Sequence, residues 1–443
     1  MTQDPTQPDP TPSPNPRHGD EAKPNNSYPS VSAAASRLPA RFDLPPSARS
    51  ASRFAFIIGA ASLLLSLLLG YLADHSLRRF SFAYLTNFAF FLSIALGALF
   101  FVLLQHLTKA GWSVNVRRIA ELLAATLPVL AILALPILFA VLANKGTLYP
   151  WARPPDDLDH LALEKRAWLN PCFFSLRIIF YFAIWSALAL WYWHSSTKQD
   201  STADPILTRR MELLSPPAMI IFALTLTFAS WDLFMSLDPR WSSTIYGLYY
   251  FSGAALGCFS AIILIAFTLH RGGFLLRGIT AEHYHDLGKF LFAFVFFWGY
   301  IAFSQYMLVW YASIPEEITF YRLRGATSVP ADINAWTSIS LLLLFGQLLI
   351  PFAALLSRHL KRRPTPLAFC AAWVLVFHWL DCFWLIMPQY DTTGALHLGL
   401  IEIASLIGIG GLFLGSLLRL ASRHSLRPIA DPRLQESLLF ENI

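Results

Sequence analysis

Long, unbroken apolar runs separated by short polar blocks dominate the chain from about residue 54 onward. A hydrocarbon core about 30 Å thick is crossed by about 20 apolar helical residues. Ten stretches reach that length, at roughly 54–73, 80–107, 117–143, 167–194, 213–237, 241–270, 288–312, 332–357, 366–388 and 394–420. None alternates apolar with polar positions, and all exceed the roughly 9–11 residues of a barrel strand. The pattern therefore predicts an all-α membrane protein of about ten spans. Residues 1–50 read differently. The opening MTQDPTQPDPTPSPNPRHGDEAKPNNSYPS is rich in Pro, Asn, Ser and Thr and almost lacks large aliphatic side chains. Such a segment buries too little surface to offset its ordering entropy and is expected to be disordered. It has no apolar h-region, so the first span is expected to be its own insertion signal. The expected organisation is a tail over 1–50, a membrane domain over 51–422 and a C-terminal tail over 423–443.

Composition agrees: 55% of residues are hydrophobic and 14% charged, against about 25% charged in soluble domains. The net charge of +6 does not form a basic face for nucleic acid, because Lys and Arg fall in short blocks between apolar runs. Such blocks orient a membrane protein. With the N-terminus in the cytoplasm, the cytoplasmic segments and adjoining span ends hold 23 Lys and Arg and the opposite loops 9, and Arg177, inside a span, makes up the 33. The bias predicts both termini in the cytoplasm, and puts the 144–166 and 313–331 loops in the periplasm. Trp191, Tyr192, Trp193, Tyr249, Tyr250, Trp310 and Tyr311 cluster at span ends, as interfacial aromatic belts do. The four cysteines (172, 258, 370 and 382) all lie in predicted spans without a CxxC. That excludes covalent haem c and a self-contained iron–sulfur cluster, and leaves them as small apolar fillers.

Ionisable groups inside a membrane are costly and so are candidates by default. They are Glu121, Arg177, Asp232, Asp381 and Glu402, with His378 beside them. His378 and Asp381, three apart, share a helix face, which suits proton exchange; the plainer reading is an interhelical hydrogen-bonded pair. Glu402 is expected about eight residues into the last span. Glu121 reads as reaching the interface near Arg117 and Arg118. Arg177 needs a counter-charge, for which Asp232 and Glu402 are the candidates. In WDLFMSLDPRW, Pro239 ends the helix, with Asp238 and Arg240 in the turn and Asp232 one to two turns deeper. On the cytoplasmic side Glu282, His283, His285 and Asp286 form a polar cluster that would collect protons or bind metal; the plain reading is a solvated loop. Glu316 and Glu317 make an acidic exit on the other side. Tyr300, Ser304, Gln305 and Tyr306 suggest a hydroxyl-lined helix face between them, which helix packing explains equally. Of the histidines only His378 lies deep. Bis-histidine haem, which needs facing pairs, is not expected, and neither is any redox centre or bound metal.

Several blocks carry a family resemblance. SWDLFMSLDPRWSSTIYGLYYFSG (230–253), LGKFLFAFVFFWGYIAFSQYMLVWYASIPEE (287–317), FFLSIALGALFFVLLQHLTKAGWSVNVRRIAE (90–121), RAWLNPCFFSLRIIFYFAIW (166–185) and DPRLQESLLFEN (431–442) resemble the ActF-type membrane subunits of bacterial alternative complex III, of the NrfD/PsrC-like family. The resemblance runs from about residue 55 to the end. It implies two four-helix bundles, spans 2–5 and 6–9, with spans 1 and 10 outside, in the bacterial inner membrane. It implies a complex that oxidises quinol and passes electrons through an iron–sulfur subunit and haem c subunits to cytochrome c or a terminal oxidase. The partners it implies are those subunits and the sister quinol-binding subunit ActC. For this chain it implies a role in assembly and proton movement, without a redox centre of its own. Two rivals are a chain that itself binds quinol, with Asp232 as proton acceptor, and a stand-alone secondary transporter. For the transporter, Pro128, Pro136 and Pro351 interrupt spans but form no matched pair in two halves.

Overall fold

A computed structural model describes residues 44–143, 146–273, 278–326 and 332–441. The disorder expected of the N-terminal tail falls, up to residue 43, outside the described residues. Among the described residues there is no strand, and ten helices are long and apolar enough to cross a membrane. They are span 1 (Ser47–Ala73), span 2 (Arg78–Leu107), span 3 (Val114–Ala143), span 4 (Pro171–Thr202), span 5 (Pro205–Leu237), span 6 (Tyr246–Arg271), span 7 (Ala281–Ala312), span 8 (Ala335–Leu356), span 9 (Pro364–Gln389) and span 10 (Leu400–Ala421). The protein is a multi-pass, all-α membrane protein. Span 1 begins at Ser47, inside the stretch that composition assigned to the tail.

Spans 2–5 pack as one four-helix group and spans 6–9 as a second. The seam runs between spans 2 and 6, widened by contacts of span 5 with span 6 and of span 2 with span 9. Spans 1 and 10 lie against each other and against span 2. An even number of crossings brings both ends of the membrane domain out on one face, here called the terminal face; the opposite face is the far face.

Small residues set how closely these helices approach, since apolar side chains gain little by leaving lipid for protein. A Cβ on Gly59 would lie 2.8 Å from the Leu412 backbone nitrogen, and one on Gly411 would lie 2.7 Å from Gly59 Cα. Ser52 Oγ donates to the Gly415 carbonyl at 2.7 Å, and Ser66 Oγ to the Ile401 carbonyl at 2.9 Å. Gly411→Leu is therefore expected to push backbone against backbone and cost at least the ~1–3 kcal/mol of overpacking. Gly410→Leu should cost less, because its Cβ would first meet the side-chain ring of Phe91. Thermal unfolding of the two variants in mild detergent checks the order.

Prolines break two spans where the missing N–H requires it. Span 3 runs as Val114–Ala124, Leu127–Leu133 and Leu135–Ala143, with Pro128 and Pro136 at the two joints. The Tyr84 hydroxyl donates to the Leu133 carbonyl at the second joint, at 2.7 Å. In span 8, a π-helical turn over Leu344–Leu349 precedes Pro351. The segment after span 10 is not a free tail. Asp431 and Ser437 are buried, Asp431 pairs with Arg117 and Arg433 with Glu212 at 2.7 Å. Ser437 Oγ donates to the Trp112 carbonyl at 2.7 Å. The chain thus folds back as a cover on the terminal face.

Candidate functional site

Nearly every carboxyl inside the spans has a cation against it. Arg177 donates to Asp232 twice, from Nε at 2.8 Å and from Nη2 at 2.7 Å. Trp168 Nε1 (3.0 Å) and the Tyr181 hydroxyl (2.9 Å) add two further donors to the same carboxylate. The remaining Arg177 nitrogen donates to the Trp168 carbonyl at 2.9 Å, and the guanidinium lies 4.2 Å from the Trp168 ring centroid. This settles the partner of Arg177 as Asp232. Glu402 belongs to Arg79, which donates to both its oxygens at 2.9 and 3.0 Å. Span 10 starts at Leu400, so Glu402 is its third residue and not eight residues deep. Its Oε2 accepts from the Gly399 N–H at 2.7 Å, closing the helix start. The intervening Gly394 has φ of +84° and helps turn the 390–399 loop.

On the terminal face, Glu121 is buried between Arg117 (3.2 Å) and Arg118 (3.3 Å), and Arg118 also reaches Asp200 at 2.9 Å. Glu121 is thus held in a closed charge network, not extended to the interface. Glu212 pairs with Arg433, Glu282 with Arg362, and Asp286 with Lys289 at 2.6 Å. Among the described residues Asp381 is the one carboxyl within the spans that has no ion-pair partner.

Asp381 is 1% exposed. Its Oδ1 accepts from the Tyr249 hydroxyl at 2.6 Å and its Oδ2 from Trp298 Nε1 at 3.1 Å. Gln347, fully buried in the π-helical turn of span 8, is a third polar neighbour; its amide makes no hydrogen bond of good geometry. Such turns are frequent at functional sites. One turn back on span 9, His378 is also 1% exposed, with Nε2 2.8 Å from Ser93 Oγ of span 2 and Nδ1 unpartnered. The imidazole lies over Gly253 and Gly257 of span 6: Cβ atoms there would come within 2.9 Å of His378 Cε1 and 2.8 Å of Cδ2. A Cβ on Gly253 would also lie 3.2 Å from His378 Nδ1 and 3.8 Å from Asp381 Oδ2. His378 and Asp381 therefore both pack against span 6 at Gly253, at the seam of the two bundles, without bonding to each other.

Tyr249 and Trp298 also line a cavity of about 460 Å³ between spans 7 and 8, walled by Tyr306, Tyr321, Ser340 and Trp384. Phe303 and Leu341, on its lining, are 57% and 51% exposed, so the cavity opens toward the lipid-facing surface.

The remaining sequence candidates separate. Tyr300 is 58% exposed and faces outward, Gln305 is buried, and Tyr306 lines the cavity. No continuous hydroxyl face joins them. Glu316 and Glu317 open the short far-face helix Pro315–Leu323. Glu282, His283 and His285 are not in a solvated loop: they are buried in the first turns of span 7. There His283 Nδ1 accepts from the Thr280 N–H at 3.2 Å, and Nε2 lies 3.1 Å from Ser437 Oγ. Among the described residues no three His, Cys, Asp or Glu stand together as a metal would need. Between this cluster and His378 lies packed phenylalanine: Phe101, Phe259, Phe290 and Phe294, with ring centroids 5.0–6.1 Å apart.

Sequence reading missed Tyr249, Trp298, Ser93, Arg79 and Arg324. Tyr249 and Trp298 are indistinguishable in sequence from interfacial aromatics. The Gly253-x-x-x-Gly257 spacing was a readable sign of close helix approach at span 6. Arg324, counted as a loop charge, is fully buried beside the cavity wall. It donates to the carbonyls of Phe320 (2.8 Å), Trp384 (3.0 Å) and Leu385 (2.8 Å). Comparison of the chain with protein-family models and with curated proteins returned no match.

Proposed function

We propose that this chain is an integral inner-membrane subunit of bacterial alternative complex III, with both termini in the cytoplasm. In this reading it works beside the sister quinol-binding subunit and the iron–sulfur and haem c subunits, holds no redox centre of its own, and handles protons at Asp381. The sequence blocks that resemble ActF support the membership. The observation that carries proton handling is the contrast among the intramembrane carboxyls. Asp232, Glu402 and Glu121 each sit against an arginine, whereas Asp381 is buried among neutral donors. A carboxyl without a fixed counter-charge can gain and lose a proton without breaking an ion pair. The Tyr249 hydroxyl, between Asp381 and the cavity, is the group through which that proton would pass.

Asp381→Asn preserves shape and one acceptor but cannot change protonation. In the complex purified in gentle detergent, the haem c and iron–sulfur subunits should still co-purify with a reducible c-type band. Quinol turnover or proton stoichiometry should fall, by up to about a hundredfold in rate if the proton step is limiting. Unchanged turnover, stoichiometry and assembly in both Asp381→Asn and His378→Ala would sink proton handling here. A colourless chain purifying alone would sink the membership and bring transport forward. The cavity favours a second reading, in which a quinol head group enters between spans 7 and 8 and meets Tyr249. A quinone-headgroup photoaffinity label would then attach to Tyr306 or its neighbours; labelling confined to the sister subunit would remove that reading.

A further inference from the structure

Spans 1 and 10 meet at the terminal face in a cleft of about 400 Å³ lined by Arg49, Ser52, Arg53, Phe56, Arg419, Ser422 and Arg423. Arg49 and Arg53 are four apart on span 1, and Arg419 and Arg423 are four apart on span 10. Each pair therefore projects from one side of its helix, and like charges at this spacing repel. All four side chains are exposed, and among the described residues none has an ion-pair partner. The helices cannot relieve the repulsion by splaying, because Gly59, Gly411 and the Ser52–Gly415 hydrogen bond clamp them just below. Arg117, Arg118, Arg177 and Arg324, all buried, are held by carboxylates or carbonyls of the chain itself; the four exposed arginines line a cleft that is open among the described residues. The cleft is built to be completed by an anion.

Its surroundings say which kind. Directly below the arginines, span 1 turns an apolar side outward: Phe54 and Ile57 are 65% and 67% exposed, followed by Leu64, Leu65 and Leu68. An occupant with an anionic head at the arginines and acyl chains along this surface satisfies both features at once, and basic pockets between helix ends at a membrane surface take anionic lipid head groups. We propose that the cleft binds the phosphate of an anionic phospholipid, with its acyl chains laid along span 1. This site is independent of the role of Asp381. Its arginines would contact the phosphate as multiple N–H donors.

The test uses the full chain, purified and delipidated in mild detergent. Native mass spectrometry and thermal unfolding follow titration with phosphatidylglycerol, phosphatidylcholine or inorganic phosphate. The double variant Arg53→Gln/Arg423→Gln removes two charges from the cleft; Arg209→Gln/Arg210→Gln removes two exposed charges from the same face elsewhere. Phosphatidylglycerol should bind and raise the unfolding temperature of the unaltered protein. The cleft variant should lose affinity by on the order of tenfold or more, while the control pair stays within about twofold, less than one such contact is worth. Without lipid, the cleft variant should be at least as stable as the unaltered chain, because the repulsion is relieved; a purely structural role for these arginines would lower it. Equal loss in both pairs would reduce the effect to general surface charge. Equal stabilisation by inorganic phosphate would make the cleft a free-anion site. No preference of the unaltered chain for phosphatidylglycerol over phosphatidylcholine would also overturn the proposal.

Discussion

Arg177→Leu is expected to destabilise the folded protein by ~3–5 kcal/mol, the cost of leaving one member of a buried ion pair alone. Asp232 would remain, 0% exposed, with only the Trp168 and Tyr181 donors around it. Restoring neutrality with Arg177→Leu/Asp232→Leu should recover much of the loss, because a well-packed apolar pair is often as stable as the ion pair it replaces. Recovery stays incomplete, since Trp168 and Tyr181 then lose their acceptor at about 1–3 kcal/mol each. A double-mutant cycle read by denaturant unfolding in mixed micelles should give a coupling well above about 1 kcal/mol. Additive losses would mean that the two residues act separately, against the bidentate geometry. The same cycle distinguishes Asp232 from a proton carrier. If the proposed membership holds, Asp232→Asn should lose stability while each remaining folded molecule keeps its activity in the proposed complex. A variant of unaltered stability and collapsed turnover would return Asp232 to the proton route and revive it as the acceptor of a quinol.

The expected division of labour among the acids changes once their partners are known, and the reason is physical. Apolar run length depends on composition alone, so ten spans could be counted and the two termini placed on one face. Partners across a bundle are set by how helices rotate and slide against each other. Arg177 and Asp232 are 55 positions apart, and Arg79 and Glu402 are 323 apart. No local pattern encodes either meeting. Glu402 was placed too deep because the apolar run begins before the helix does: residues 390–399 include apolar positions but form a turn. The 282–286 cluster looked solvated because its own charges are dense. Its burial comes from Arg362 and from Ser437 in the returning C-terminal segment, and neither is near it in sequence. His378 with Asp381 was legible as a shared face, since a three-residue spacing fixes that on any helix. That both pack against Gly253 without bonding to each other depends on another helix, span 6.

Arg324 gives the second large effect, and here two terms oppose each other. Burial holds its guanidinium below the ordinary arginine value, to about 10. Removing the charge should thus relieve a desolvation cost on the order of 3 kcal/mol. Against this, three carbonyls lose a donor at about 1–3 kcal/mol each. Two of them, Trp384 and Leu385, lie in the last turns of span 9, where helix carbonyls have no intrahelical partner. The carbonyls outweigh the charge, and Arg324→Met, which roughly keeps the volume, is expected to lose ~2–4 kcal/mol in thermal unfolding. Arg324→Lys is the sharper variant. It keeps the charge on a more strongly hydrated, compact ammonium and gives up the fork that reaches Phe320 on one side and the end of span 9 on the other. Lysine should therefore be no better than methionine, although it is the conservative change. Rescue by lysine would show that an anion, not these carbonyls, is what Arg324 serves. If the loss appears as expected, the end of span 9 loosens one turn beyond Asp381. The Tyr249–Asp381 hydrogen bond then depends on a residue that contacts neither of them.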